Sequence, residues 1–218
     1  MHSTSINLPF PGISLNVDET LLLLRSHSRL RVLSSAVVGG GDVSTQVILS
    51  RHVDKSYRHP RPAQDLQMFA RQRGITDPFV GLMTAVFLHK VITRNAQQDA
   101  MQLSIILTAG FGNATAAGLS PSASPQPGTI NIIALLDANL SPAARVNAII
   151  TITEAKTALL QHWNLRTPEN FPATGTSTDA VVLACTGRGP RQSFAGPATA
   201  VGYLIGRTVR QALEACHP

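Results

Sequence analysis

The chain has 218 residues, 44% hydrophobic and 14% charged, with a formal net charge of +6. Such a composition supplies a core and excludes a disordered or fibrous chain. The basic surplus raises nucleic-acid binding, but its arginines and lysines come in clusters of a few residues and aromatics make up 5%, so neither a basic stripe nor a stacking platform is expected.

In chain order, residues 1–20 read as an N-terminal extension and the stretch to residue 60 as β-rich. Residues 21–24 and 30–36 are two short apolar strands separated by a polar, basic turn. The Gly39-Gly40-Gly41 triplet is a turn; it lacks the flanking pattern of a phosphate loop. Residues 43–49 alternate as a strand, and the dense polar segment 52–60 follows. Residues 63–74 form a short helix with Leu66, Phe69 and Ala70 on one face and Gly74 as its stop. Residues 79–88 and 103–109 read as the next strands, with some helix left open over 79–91.

A small-residue loop, 108–118, leads into residues 119–127, whose Ser and Pro content predicts a mobile loop. Residues 128–136 return as a strand. Ser141-Pro142 starts a helix that runs to His162, with Ser as N-cap and Pro in the first turn. Its predicted buried stripe is Val146, Ile149, Ile150, Thr153, Thr157 and Leu160, with Glu154 and Lys156 on opposite borders. In residues 172–182, four hydroxyls (Thr174, Thr176, Ser177, Thr178) and Asp179 crowd around Gly175 before an apolar run. Such a loop can offer N–H groups, hydroxyls and a carboxylate to one ligand, or be a turn bonded to itself. A strand at 180–184 and a helix at 197–215 close the chain, the helix with a buried stripe of Val201, Ile205, Thr208 and Ala212. Gly202 and Gly206 would admit a neighbouring backbone.

The sum is an α/β or α+β fold: a single layered domain over 1–218, with a mixed β-sheet packed by helices. Cys185 and Cys216 have no metal-ligand spacing and read as free thiols. No signal-peptide pattern opens the chain and no apolar run could span a bilayer, so a cytoplasmic protein with no membrane partner is expected.

Several segments, in one order across residues 30–210, carry a resemblance. They are Leu33-Ser34-Ser35-Ala36 with the glycine triplet, Arg51-His52-Val53-Asp54-Lys55-Ser56-Tyr57, Val80-Gly81-Leu82-Met83-Thr84-Ala85, and Thr108-Ala109-Gly110 with Gly112-Asn113. Further on come Gly128-Thr129-Ile130-Asn131-Ile132, Thr153-Glu154-Ala155-Lys156-Thr157-Ala158, and Ala173-Thr174-Gly175-Thr176-Ser177-Thr178-Asp179-Ala180. Ala195-Gly196-Pro197-Ala198-Thr199 and Leu204-Ile205-Gly206 complete the set. Together they resemble the adenosylcobinamide amidohydrolase family. The resemblance implies hydrolysis of the amide that joins aminopropanol to the corrin, yielding adenosylcobyric acid for corrinoid salvage. It implies a corrinoid substrate, no separate cofactor and a cytoplasmic setting.

Amide hydrolysis needs a nucleophile or activated water, donors for the oxyanion and an acid for the leaving amine. His52 is the first candidate base, with Asp54 two residues on along a strand to orient it. Asp179 would take a proton or anchor the aminopropanol hydroxyl, and Glu154 is a further carboxylate at a helix border. Lys55 and Lys156 would stabilise the oxyanion or the product carboxylate. Asn113, Asn131, Thr176, Ser177 and Thr178 suit the amide-rich corrin rim, while His59 reads as a surface histidine. Thr129, directly after Gly128, is either a commonplace strand start or the nucleophile of a self-processing amidase. No metal ligand set is predicted. A non-catalytic corrinoid-binding protein and a homodimer stay open as readings; a corrinoid cation leaves the basic surplus unexplained.

Overall fold

A computed structural model describes residues 3–122 and 129–216. The strands β1 (Thr4–Ile6) and β2 (Ile13–Val17) precede the long β3 (Leu21–Ser34) and β4 (Gly41–His52). The helix α1 (Pro62–Gln72) has Leu66 and Ala70 fully buried, and Gly74 ends it at φ +71°. Next come β5 (Phe79–Thr84), a 3-10 turn (Leu88–Lys90), β6 (Ile92–Gln98), β7 (Met101–Ala109) and β8 (Ala114–Thr115). The chain continues through β9 (Ile130–Leu136), β10 (Asn139–Leu140), α2 (Pro142–His162), β11 (Gly175–Thr176), β12 (Ala180–Cys185), β13 (Arg191–Gln192) and α3 (Ala200–Glu214).

Nine strands form one mixed sheet, ordered β1-β2-β3-β12-β9-β7-β6, with β4 on the other side of β3 and β5 beside β4. The pairs β9–β12 and β4–β5 are parallel; the rest are antiparallel. Alternation along each strand sorts its side chains into separate cores. Ile132 and Ala134 of β9 pack under α2 and α3, while Ile133 and Leu135 face Leu24, Val32, Ile48 and Leu82. Leu21, Val47 and Leu49 turn the other way, onto Leu66 and Ala70 of α1. The sheet is therefore curled around a central core, with α2 and α3 outside one half and α1 outside the other. This is the layered domain with a mixed sheet that the sequence predicts.

Three elements differ from expectation. Residues 21–24 and 30–36 are not separate strands: β3 runs through the polar segment with a register shift between Arg25 and Leu30. The Gln46 amide bonds the carbonyls of Ser26 and His27 there, so the irregular backbone is satisfied without a turn. The stripe on α2 is also corrected. Val146 and Ile150 are exposed, at 51% and 46%, and the buried face carries Ala144, Ala148, Ile152, Ala155 and Leu159. Apolar residues occur on every side of the helix, and charged ones both inside and out, so periodicity could not pick its inner face. Finally, β6 is a polar edge strand that no apolar run announces. Of the predicted mobile loop at 119–127, residues 123–127 lie outside the described residues.

Candidate active site

The parallel pairs β9–β12 and β4–β5 set the site. The starts of β9 and β12 meet the ends of β4 and β5 across the curled sheet. The Asn131 side chain ties the two together by donating to the Met83 carbonyl at 2.8 Å, and Val53 N–H reaches the Thr84 carbonyl at 2.8 Å. Between them opens a cavity of about 460 Å³. Its apolar lining includes Val37, Val53, Leu82, Ala85 and Ala180; its polar lining includes Tyr57, Arg58, His59, Thr84, Thr129, Asn131, Thr178 and Asp179.

One wall is built on Asp179. Its carboxylate accepts from Ile130 N–H at 3.1 Å and from the Thr176 hydroxyl, and it pairs with the Lys156 ammonium. Both charged side chains are nearly buried, at 15% and 8% exposure, so each compensates the other's desolvation. Gly175 is required beside them: a Cβ there would collide with the Asp179 carboxylate and stand 2.7 Å from Lys156 Nζ. The Thr129 hydroxyl lies next in line. It donates to the Thr178 carbonyl, at 2.7 Å, or to Asn131 Oδ1, at 3.0 Å.

The opposite wall comes from the polar segment after β4. Tyr57 donates its phenol proton to Asp65, at 2.8 Å, and Asp65 also holds Arg51, at 2.8 Å. Burial first, then the Asp65 carboxylate, pushes the Tyr57 phenol up to about 12. His59 stacks on Tyr57 with ring centroids 6.3 Å apart. Its Nδ1 accepts the Arg61 N–H at 3.1 Å, which puts the proton of the neutral ring on Nε2.

The structure thus brings Asp179, Lys156, Thr176, Thr178 and Asn131 together. Asn113 and Ser177 are neighbours of this cluster, joined by a 2.7 Å side-chain bond beside the β8–β11 pair, but do not line the cavity. Lys156 is no border residue; it is buried on the inner face of α2. Glu154 is corrected too: it sits on the exposed face of α2, outside the cavity.

The His52–Asp54 dyad does not form. The chain leaves the sheet at His52, so the two residues no longer share a strand face. His52 Nδ1 lies 3.1 Å from the Val86 carbonyl, its ring packs on Phe87, and it lines a separate groove with Phe87 and His89. The Asp54 carboxylate is exposed and binds the Ser56 hydroxyl and N–H, which hold it below the usual carboxylate range. Lys55 is likewise exposed and off the cavity. Tyr57 and Thr84 are the cavity residues that sequence reasoning missed; His59 also lines the cavity but is exposed, as its reading as a surface histidine expects, and it lies with Tyr57 in the polar segment marked for His52. Among the described residues, no group of three or more His, Cys, Asp or Glu side chains is placed to hold a metal ion.

A family model described as adenosylcobinamide amidohydrolase matches residues 12–217. The chain belongs to the adenosylcobinamide amidohydrolase family. It is 31% identical over 208 residues to the adenosylcobinamide amidohydrolase of Methanosarcina mazei, covering 91% of this chain and 94% of that protein. A second adenosylcobinamide amidohydrolase, from Halobacterium salinarum, is 33% identical over 120 residues, 52% of this chain and 49% of that one. Among solved structures, a β-aminopeptidase of a Burkholderia species has a similar fold at TM-score 0.50 and 11% identity, covering 95% of this chain and 80% of that one. The segments that carry the family resemblance supply every cavity-lining residue except Val37, Arg58, His59 and Pro62.

Proposed function

We propose that this chain hydrolyses the amide between the aminopropanol arm and the corrin of adenosylcobinamide, and that the cavity between the starts of β9 and β12 and the ends of β4 and β5 is where the bond is cut. The products are adenosylcobyric acid and aminopropanol, the chemistry of corrinoid salvage. The observation that carries the placement is the convergence of five of the family segments, dispersed from Ser35 to Ala180, onto this one cavity.

Its size supports the same reading. About 460 Å³ holds a short arm and its amide but not a corrin macrocycle, which would rest across the mouth. The two polar walls divide the work. On the Asp179 side, Thr129 and Asn131 meet the amide group, and the fixed charge of Asp179 orients the donors around it. On the other side, the Nε2–H of His59 donates a hydrogen bond to the amide oxygen as charge develops on it. The Tyr57 oxygen accepts from the amide N–H or the aminopropanol hydroxyl. We take the cytoplasm as the compartment of this salvage step. Among the described residues no helix is long and apolar enough to cross a membrane. A homodimer formed through the exposed Val146 and Ile150 of α2 would cover two apolar side chains one helical turn apart.

Incubation of the purified protein with adenosylcobinamide, followed by mass spectrometry of the corrinoid, tests the reaction. Adenosylcobyric acid with an equal amount of aminopropanol is expected. Bound but unaltered adenosylcobinamide would instead mark a non-catalytic corrinoid carrier.

A further inference from the structure

We propose that Asp65 is a positioning residue that makes Tyr57 an acceptor only, and that Tyr57 thereby selects the aminopropanol arm by the proton of its hydroxyl. The inference rests on the amidohydrolase reading of the cavity and goes beyond it by naming how one amide is chosen among many.

The corrin rim carries other amides besides the one to be cut. What the aminopropanol arm has and those lack is a hydroxyl, a few bonds beyond the amide nitrogen. A site built to bond that hydroxyl rejects groups without it, because its own polar atom is then left unpaired.

Tyr57 lines the cavity, and its phenol donates to the Asp65 carboxylate at 2.8 Å. An ionised carboxylate has no proton to return, so the direction of that bond is fixed. The phenol oxygen keeps its lone pairs and has no proton left for a ligand. It meets a hydroxyl only as an acceptor, and its own bond to the carboxylate makes it a stronger one. Burial and then the Asp65 carboxylate push the phenol up to about 12, so the proton stays in place across the neutral range.

Asp65 does not line the cavity and acts through Tyr57. Neighbouring groups hold it in place. It sits in the first turn of α1, where a carboxylate meets the positive end of the helix dipole. Arg51, one residue before the end of β4, donates to the same carboxylate oxygen at 2.8 Å. The Arg51 guanidinium also lies over the Phe69 ring, 4.5 Å from its centroid. Phe69 stands one helical turn after Asp65, so α1 holds the arginine by two residues of one face. Leu66, fully buried beside Asp65 in the chain, packs the helix onto Val47 and Leu49 of β4. The His59 ring stacks on Tyr57 with the planes 23° apart.

Turnover of adenosylcobinamide is compared with that of an analogue in which fluorine replaces the hydroxyl of the arm. Fluorine is close to hydroxyl in size but has no proton to donate. The ratio of the two kcat/KM values, taken on one preparation, does not depend on how much of a variant is folded. The wild type should prefer the hydroxyl by at least about 10-fold. Y57F should lose that preference. D65A, which frees the Tyr57 proton to meet either arm, should lose it as well. Tyr57 and Tyr203 are the two tyrosines of the chain, so ultraviolet titration of Y203F reads Tyr57 alone. Its midpoint should fall when D65A is added. A wild type that cleaves both arms equally would overturn the inference and leave the amidohydrolase reading standing. A D65A variant that keeps the wild-type preference would do the same. A wild type that cleaves neither arm would overturn both.

Discussion

Asp179 shows how a residue can be legible in sequence while its partner is not. Its place in a hydroxyl-rich loop marked it, and the Thr176 hydroxyl of that loop donates to its carboxylate. Lys156 was misplaced because it was read as a helix-border charge, whereas it lies on the inner face of α2, paired with Asp179. Removing one partner of a buried pair leaves the other charge uncompensated. Asp179→Asn should therefore lower unfolding stability by about 3–5 kcal/mol in urea and abolish turnover, while Glu154→Gln, on the exposed face, should change neither. His52 and Asp54 failed for a local reason: the strand ends between them, and each finds a nearer partner. Tyr57 carries a separate prediction. Its folded-state phenol is raised to about 12 against an ordinary 10, so the unfolded chain ionises first. The stabilisation it provides is complete below pH 10 and lost as pH rises towards 12. Tyr57→Phe should flatten that part of the stability profile, measured by denaturant unfolding across the alkaline range.

At the scale of elements, start and stop signals were reliable, and so were the buried faces of α1 and α3, while the face of α2 was not. Ser141 caps α2 as its sequence predicts, accepting from Ala144 N–H at 3.1 Å, and Pro142 opens the first turn. Gly74 ends α1. The inner face of α2 and the continuity of β3 were hidden, because both depend on what packs from elsewhere in the chain. Gly202 was read correctly as a close approach: a Cβ would run into the Gly196 carbonyl, against which α3 is seated by its Thr199 cap. At Gly206 a Cβ would stand 3.6 Å from the Thr151 methyl, an ordinary contact. Gly202→Ala should cost about 1–3 kcal/mol through a displaced α3, while Gly206→Ala should be tolerated; urea midpoints of the two variants compare them.

Across the whole molecule, alternating elements with polar loops at strand ends announced a layered α/β domain. The curl of the sheet was not announced, and the curl is what makes the site. It places residues near 57, 84, 129 and 179 around one cavity although no local pattern links them. The family segments were visible one by one; their convergence belongs to the tertiary fold. The central claim is that the amide of the aminopropanol arm is cut in this cavity. A crystal structure of the Asp179→Asn variant with adenosylcobinamide tests it most directly. The account predicts the arm inside the cavity, its amide between Thr129 and His59, and the corrin across the mouth. A corrinoid seated instead in the groove lined by His52, Phe87 and His89, with this cavity empty, would contradict it.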